Sequence, residues 1–166
     1  MATKPRSTPR QFYSTKTYRS EESVGFLLGL CLNRIVDAID EALAELGIGA
    51  QQFGILHALL KGTARNPSEL ARLRFQNSAA ITYTLDVLEE KQLVQRKRNA
   101  NDRRVVNLEL TEAGKALTRA CIPRVVDAQN AVLQNLSQSD YRTLHALLHR
   151  IADVDPSSDS ERTSAA

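Results

Sequence analysis

Five basic side chains, Arg96, Lys97, Arg98, Arg103 and Arg104, fall within nine residues of this chain, and Asp102 is the one acid among them. Guanidinium and ammonium groups at that density suit one task, the binding of a polyanion. Residues 91–104 add Lys91 and no further acid, for a local charge of +5. A second basic run, Lys4, Arg6, Arg10, Lys16 and Arg19, lies in residues 1–20 without an acid, again +5. The net charge of all 166 residues is only +3, so the chain beyond residue 20 sums to −2. The first long helical stretch is acidic, with Glu21, Glu22, Asp37, Asp40, Glu41 and Glu45 against Arg34. Basic charge is therefore concentrated locally on a mildly acidic body. A solvated surface loop is the plainer account of any one such run taken alone.

Other residue sets offer less. His145, His149 and Asp153 recur at i, i+4 and i+8, which sets three possible metal ligands along one helix face. No second Cys or His cluster completes a site, so a solvated face is expected, with no metal and no cofactor. Cys31 and Cys121 are too few for a disulfide framework and sit in apolar helical patterns, as buried structural thiols would. Gly47-Ile48-Gly49 lacks the strand and third glycine of a nucleotide loop and reads as a helix stop. Neither a Ser/His/Asp set nor a carboxylate pair stands out, so no enzyme is expected. With 42% apolar and 25% charged residues, the composition is that of a soluble globular domain. No apolar run approaches the roughly 20 residues that span a bilayer, and the polar N-terminus has no signal-like segment. The expected compartment is the cytoplasm.

The elements that must position the basic cluster are mostly helical. From Glu21 to Leu46 apolar residues keep the i, i+3, i+4, i+7 rhythm, and Phe26, Leu30 and Val36 add a second stripe. A helix apolar on two sides lies between two partners. Gly47 ends it; a second helix covers about 50–61. Asn66-Pro67-Ser68-Glu69 opens a short third helix as a capping box. A fourth runs from Asn77 or Ser78 to about Lys91, with Ile81, Leu85 and Leu88 toward the core. Two short strands, about 93–98 and 105–110, flank a polar hairpin loop. Thr111 caps a long helix reaching about Leu136, with a kink expected at Pro123, and a last helix covers about 139–154. Residues 1–20 read as a basic flexible arm and 155–166 as a disordered tail. The fold class is mainly α with a small antiparallel β-hairpin, a winged helix-turn-helix plus a helical dimerisation region.

At this point the residues resemble a known family. Asn101-Asp102-Arg103-Arg104-Val105-Val106-Asn107-Leu108-Glu109-Leu110-Thr111-Glu112-Ala113-Gly114 is similar to the wing signature of the MarR (multiple antibiotic resistance regulator) family. Pro67-Ser68-Glu69-Leu70-Ala71, Ile81-Thr82 and the stretch from Leu88 to Val94 are similar to its other motifs. The resemblance covers roughly residues 21–154. It implies a homodimeric cytoplasmic transcription regulator, with residues 21–46 and 111–154 supplying dimerisation helices and residues 50–110 binding DNA. The family commonly has a glycine where Gln92 stands, which implies a strained turn there. It also commonly has basic residues where Tyr83 and Val87 stand, which shifts the weight of binding here from base readout to the wing and phosphates.

The DNA-contacting residues expected on this basis are Ser68, Asn77, Ser78, Ala79, Ala80, Thr82 and Tyr83 from the helices and Arg96, Lys97, Arg98, Asp102, Arg103 and Arg104 from the wing. Small and hydroxyl side chains at a helix N-terminus fit base edges and phosphates. Arginine suits the narrow, electronegative minor groove. In the resemblance, Asp102 holds Arg104. The partner is double-stranded DNA carrying a pseudo-palindromic operator. Effectors of such proteins are commonly small aromatic acids or phenols. Phe26, Leu30, Phe53 and His57 are candidates to line that cavity, with Arg34 as anion partner, although core packing accounts for them equally well. A winged-helix protein-interaction module without DNA binding and a metal- or redox-sensing regulator are the alternatives.

Overall fold

The structure is a computed structural model that describes residues 11–74, 76–98 and 106–152. The chain divides into two compact units, up to Arg34 and from Ile35 onward. The first unit opens with a turn and a single helical turn, Ser20–Glu22, before helix α1, Val24–Leu43, begins. The Tyr13 hydroxyl accepts a hydrogen bond from the Val24 amide at 2.9 Å, so part of the expected arm caps this helix.

In the second unit α1 finishes and its chain turns at Gly47, whose φ of 69° is the left-handed conformation expected of a helix stop. There follow α2 (Ala50–Leu60), α3 (Pro67–Leu73), α4 (Ser78–Glu90), strands β1 (Val94–Arg98) and β2 (Val106–Leu110), α5 (Glu112–Leu133) and α6 (Gln138–Ala152). The strands pair antiparallel with Val94 opposite Leu110 and Arg98 opposite Val106. Local chemistry sets each helix start. Asn66 Oδ1 accepts from the Glu69 amide at 2.9 Å, Asn77 Oδ1 from Ala80 at 2.8 Å, and Thr111 Oγ1 from Gly114 at 3.0 Å. Glu69 completes its box one residue early, accepting from the Arg65 amide. α5 passes Pro123 as one continuous helix. It stops at Leu133 rather than Leu136 because Ser137 and Asp140 form a reciprocal cap that starts α6.

One apolar core holds the second unit. Leu43, Ile55, Leu56, Leu70, Ile81, Leu85 and Leu88 are essentially inaccessible, and Leu93, Val94, Leu108 and Leu110 bring the hairpin onto them. The expected core side of α4 is confirmed. Cys121 is buried as expected, but Cys31 is exposed. The stripe it occupies explains the difference, since Leu27, Leu28, Leu30 and Leu32 are exposed too.

Candidate nucleic-acid interface

The N-terminal half of α4 is free of acids and open to solvent. Asn77, Ser78, Ala79, Thr82 and Tyr83 are exposed, Ala80 is half-buried, and Ser68 is exposed on α3. Tyr83 is 73% exposed, too much for a core aromatic. The Thr82 hydroxyl donates to the Ser78 carbonyl at 2.9 Å, which fixes its rotamer and leaves its oxygen lone pairs as acceptors. Asn77 Oδ1 takes the Ala80 amide at the start of α4, where the helix dipole favours an anion.

The hairpin is fastened to α4 by charge. Arg96 forks between Asp86 at 2.6 Å and Glu89 at 2.7 Å, two acids on successive turns of the helix. The fork places β1 beside α4 and offsets acids that would otherwise repel a phosphate backbone. Lys97 pairs across the strands with Glu109 at 2.6 Å, and this contact first of all holds the Glu109 carboxyl below its usual range. Arg96 and Lys97, expected as phosphate partners, are thus already engaged within the fold. Arg98 closes the ladder opposite Val106, and its side chain lies outside the described residues, as do Asp102, Arg103 and Arg104.

The base of the hairpin is fixed by the Leu-Thr-Glu-Ala-Gly segment. The Thr111 amide donates to the Leu93 carbonyl at 3.1 Å, and its hydroxyl donates to the Gln92 carbonyl at 2.7 Å. A Cβ on Gly114 would overlap the Leu93 carbonyl, so only glycine lets α5 start this close to the turn. Gln92 takes a φ of 57°, a left-handed turn that glycine adopts without strain. On its other side, β2 donates from the Leu108 amide to the Arg65 carbonyl at 2.8 Å, joining the hairpin to the start of α3.

The expected effector residues fall into two sets. Phe26, Leu30 and Arg34 follow at four-residue intervals on α1 in the first unit, and all are exposed. Phe53 and His57 on α2 in the second unit are half-buried and stacked, with ring centroids 5.5 Å apart and planes 28° apart. Burial, and then the charge of Lys61, lower the His57 pKa, which favours neutral imidazole. His145 and His149 approach to 3.3 Å between Nε2 atoms, and Asp153 lies outside the described residues. Among the described residues no three His, Cys, Asp or Glu side chains form a metal group, and no helix is long and apolar enough to cross a membrane.

Sequence reasoning missed two contributors. One is the Asp86–Arg96–Glu89 fork, whose signal was available: acids three apart on a helix, then an arginine at the third position of the following strand. The other is Arg74, which packs back against α2 at Gly54 and carries no distinguishing spacing.

Known proteins share this arrangement. A sequence model of the MarR family matches residues 46–105. The chain is 32% identical over 114 residues to the multiple antibiotic resistance protein MarR of Escherichia coli, covering 68% of this chain and 79% of that one. It is 28% identical over 153 residues to the HTH-type transcriptional repressor NicR of Pseudomonas putida, covering 92% and 95%. A mutant E. coli MarR solved in complex with operator DNA matches the fold with a TM-score of 0.72 at 30% identity, over 77% of this chain and 92% of that one. With its capped helices, its basic hairpin and the glycine that seats it, the chain belongs to the MarR family of winged helix-turn-helix transcription regulators, which are not enzymes.

Proposed function

We propose that this protein is a cytoplasmic homodimeric repressor that binds a pseudo-palindromic operator and is released by a small aromatic acid or phenol. The observation that carries the reading is the exposed, acid-free first half of α4, set beside a basic strand by the Arg96 fork. In this reading α4 enters the major groove through Ser78, Ala79, Thr82 and Tyr83, with Ser68, Asn77 and Ala80 at its border. Arg103 and Arg104 reach the minor groove, with Asp102 holding Arg104. Lys97 and Arg98 supply phosphate contacts; Arg96 does so only by exchanging an internal partner. Residues 21–46 and 111–154 dimerise, and residues 50–110 bind DNA. The operator complex of the E. coli relative and the name of the P. putida repressor support the DNA and repressor parts. The stacked aromatic pair Phe53 and His57 supports the effector part.

Gel shifts against genomic fragments at several salt concentrations test the DNA-binding core of this reading. Arg103→Ala is expected to weaken binding to many sequences together and to reduce the slope of log affinity against log salt by about one unit. Asp102→Ala is expected to weaken binding although it removes a negative charge. Tighter binding by Asp102→Ala at moderate salt would reduce the wing to a diffuse positive patch.

A further inference from the structure

Arg74 closes the last turn of α3, its amide bonded to the Leu70 carbonyl at 2.9 Å, and its guanidinium reaches back to α2. There it fills the space a side chain at position 54 would occupy. A Cβ on Gly54 would overlap Nη1 and stand 2.7 Å from Nη2. Nε is buried and has no hydrogen-bond partner among the described residues. Among the described residues no carboxylate pairs with this arginine. Burial alone lowers the Arg74 pKa, although arginine stays charged at any physiological pH. A part-buried guanidinium that no described carboxylate faces is a place an anion can fill.

The surroundings specify what kind of anion. Phe53 precedes Gly54, and His57 follows it by three residues. Helical side chains lean toward the N-terminus, so His57 lies over the turn that contains Phe53 and Gly54. The stacked Phe53–His57 pair and the guanidinium therefore border the same turn of α2. We propose that Arg74 is the anion anchor of the effector site, taking the carboxylate of a small planar aromatic acid whose ring packs against Phe53 and His57. This rests on the reading of the protein as a regulator with an aromatic effector, and it places the anchor at Arg74 rather than Arg34. A two-pronged guanidinium–carboxylate contact gives the orientation that stacking alone lacks. Because Arg74 opens the turn leading to the Asn77 cap of α4, an acid bound there acts on the start of the recognition helix.

Calorimetric titration of the full chain with benzoate, 2-hydroxybenzoate and 4-hydroxybenzoate, each against its amide, tests the assignment. The wild type is expected to prefer each acid over its amide by tenfold or more. Arg74→Leu is expected to remove that preference, and Arg74→Lys to keep part of it, as a point charge without the fork. Gly54→Ala, which displaces the guanidinium while leaving every charge in place, is expected to weaken acid binding several-fold. Thermal unfolding in the same buffer establishes that each variant is folded. If the wild type binds the acids and Arg74→Leu keeps the preference while Arg34→Leu loses it, the anchor is Arg34 and the proposal falls alone. If the wild type binds none of the probes, the aromatic-effector reading falls and takes the proposal with it. If Arg74→Leu instead lowers the salt slope of operator binding and leaves acid binding intact, Arg74 serves DNA phosphate and the proposal is wrong.

Discussion

Gln92 and Gly114 sit on either side of the same hairpin base and carry opposite costs. Gln92 holds a φ of 57°, a conformation in which a Cβ crowds the following carbonyl. Gly114 has ordinary backbone, but no room for a Cβ beside the Leu93 carbonyl. Exchanging residue types at the two positions therefore separates backbone strain from close approach. Gln92→Gly is expected to stabilise the protein by about 0.5–1 kcal/mol, the relief of left-handed strain less the entropy glycine regains on unfolding. Gly114→Ala is expected to destabilise it by about 1–3 kcal/mol, because a backbone carbonyl cannot turn aside as a long side chain can. Urea midpoints with unchanged slopes give both values, and a destabilised Gln92→Gly would show that the turn is not under strain. The strain at Gln92 was expected through the family resemblance, in which a glycine commonly stands there, and the φ of 57° agrees with it. The need for glycine at 114 was visible only as a motif. Its cause is a contact between residues 21 apart in the chain, which no local pattern encodes.

The hairpin is a two-stranded element, and two strands alone are marginal in water. Its inner residues Val94, Leu108 and Leu110 pack on the core, and alternation along the second strand made that side readable in advance. Val106, at the outer end, is only half-buried because it lies past the core's edge. What periodicity could not reveal is the lateral tie. By alternation Arg96 shares the inner face with Val94 and stands opposite Leu108, and there the approach of α4 gives it Asp86 and Glu89 as partners. Arg96 is about one-third exposed, so its pairs add only on the order of 1 kcal/mol or less to stability. Their consequence is for binding. Arg96→Ala frees β1 from α4 and leaves two carboxylates unpaired near the expected phosphate path. Lys97→Ala frees only Glu109. The Arg96 variant is expected to lose about tenfold in operator affinity and the Lys97 variant about two- to threefold. Adding Asp86→Asn and Glu89→Gln to Arg96→Ala is expected to restore part of the loss. Fluorescence anisotropy on a labelled operator measures all three. Equal losses for the two single variants would show that each lysine or arginine counts only as a charge.

Two stretches of the chain expose apolar surface that a solitary protein does not carry comfortably. In α1, Val24, Phe26, Leu27, Leu28, Leu30 and Leu32 are between 37% and 60% exposed. In α6, Tyr141, Leu144, Leu147 and Ile151 are between 39% and 62% exposed, and the helix buries no residue at all. An open cleft where α5 meets α6 is lined by Val126, Leu133, Leu136 and Tyr141. The two-sided pattern of the first helix pointed to a second partner from sequence alone, because a helix apolar all round has to be enclosed. Covering such surface with a second copy is the expectation, and an interface of this kind buries roughly 2,000 Å² or more. Sedimentation at micromolar concentration is therefore expected to give twice the 18.4 kDa of one chain. Leu147 is exposed within its own chain, so Leu147→Glu leaves that chain's packing intact while setting a charge into the shared surface. It is expected to shift the protein to monomer and to cost most of its operator affinity. Leu73→Glu, on an exposed position of α3, is expected to leave the dimer in place. A two-fold dimer also fixes the spacing of its two α4 helices, so half-sites should lie about 10 base pairs apart. Five extra base pairs between them turn one half-site to the far side of the duplex, and binding should fall to the non-specific level. A dimer that survives Leu147→Glu with full affinity would remove α6 from the interface, and undiminished binding to the expanded operator would mean that each subunit reads DNA on its own.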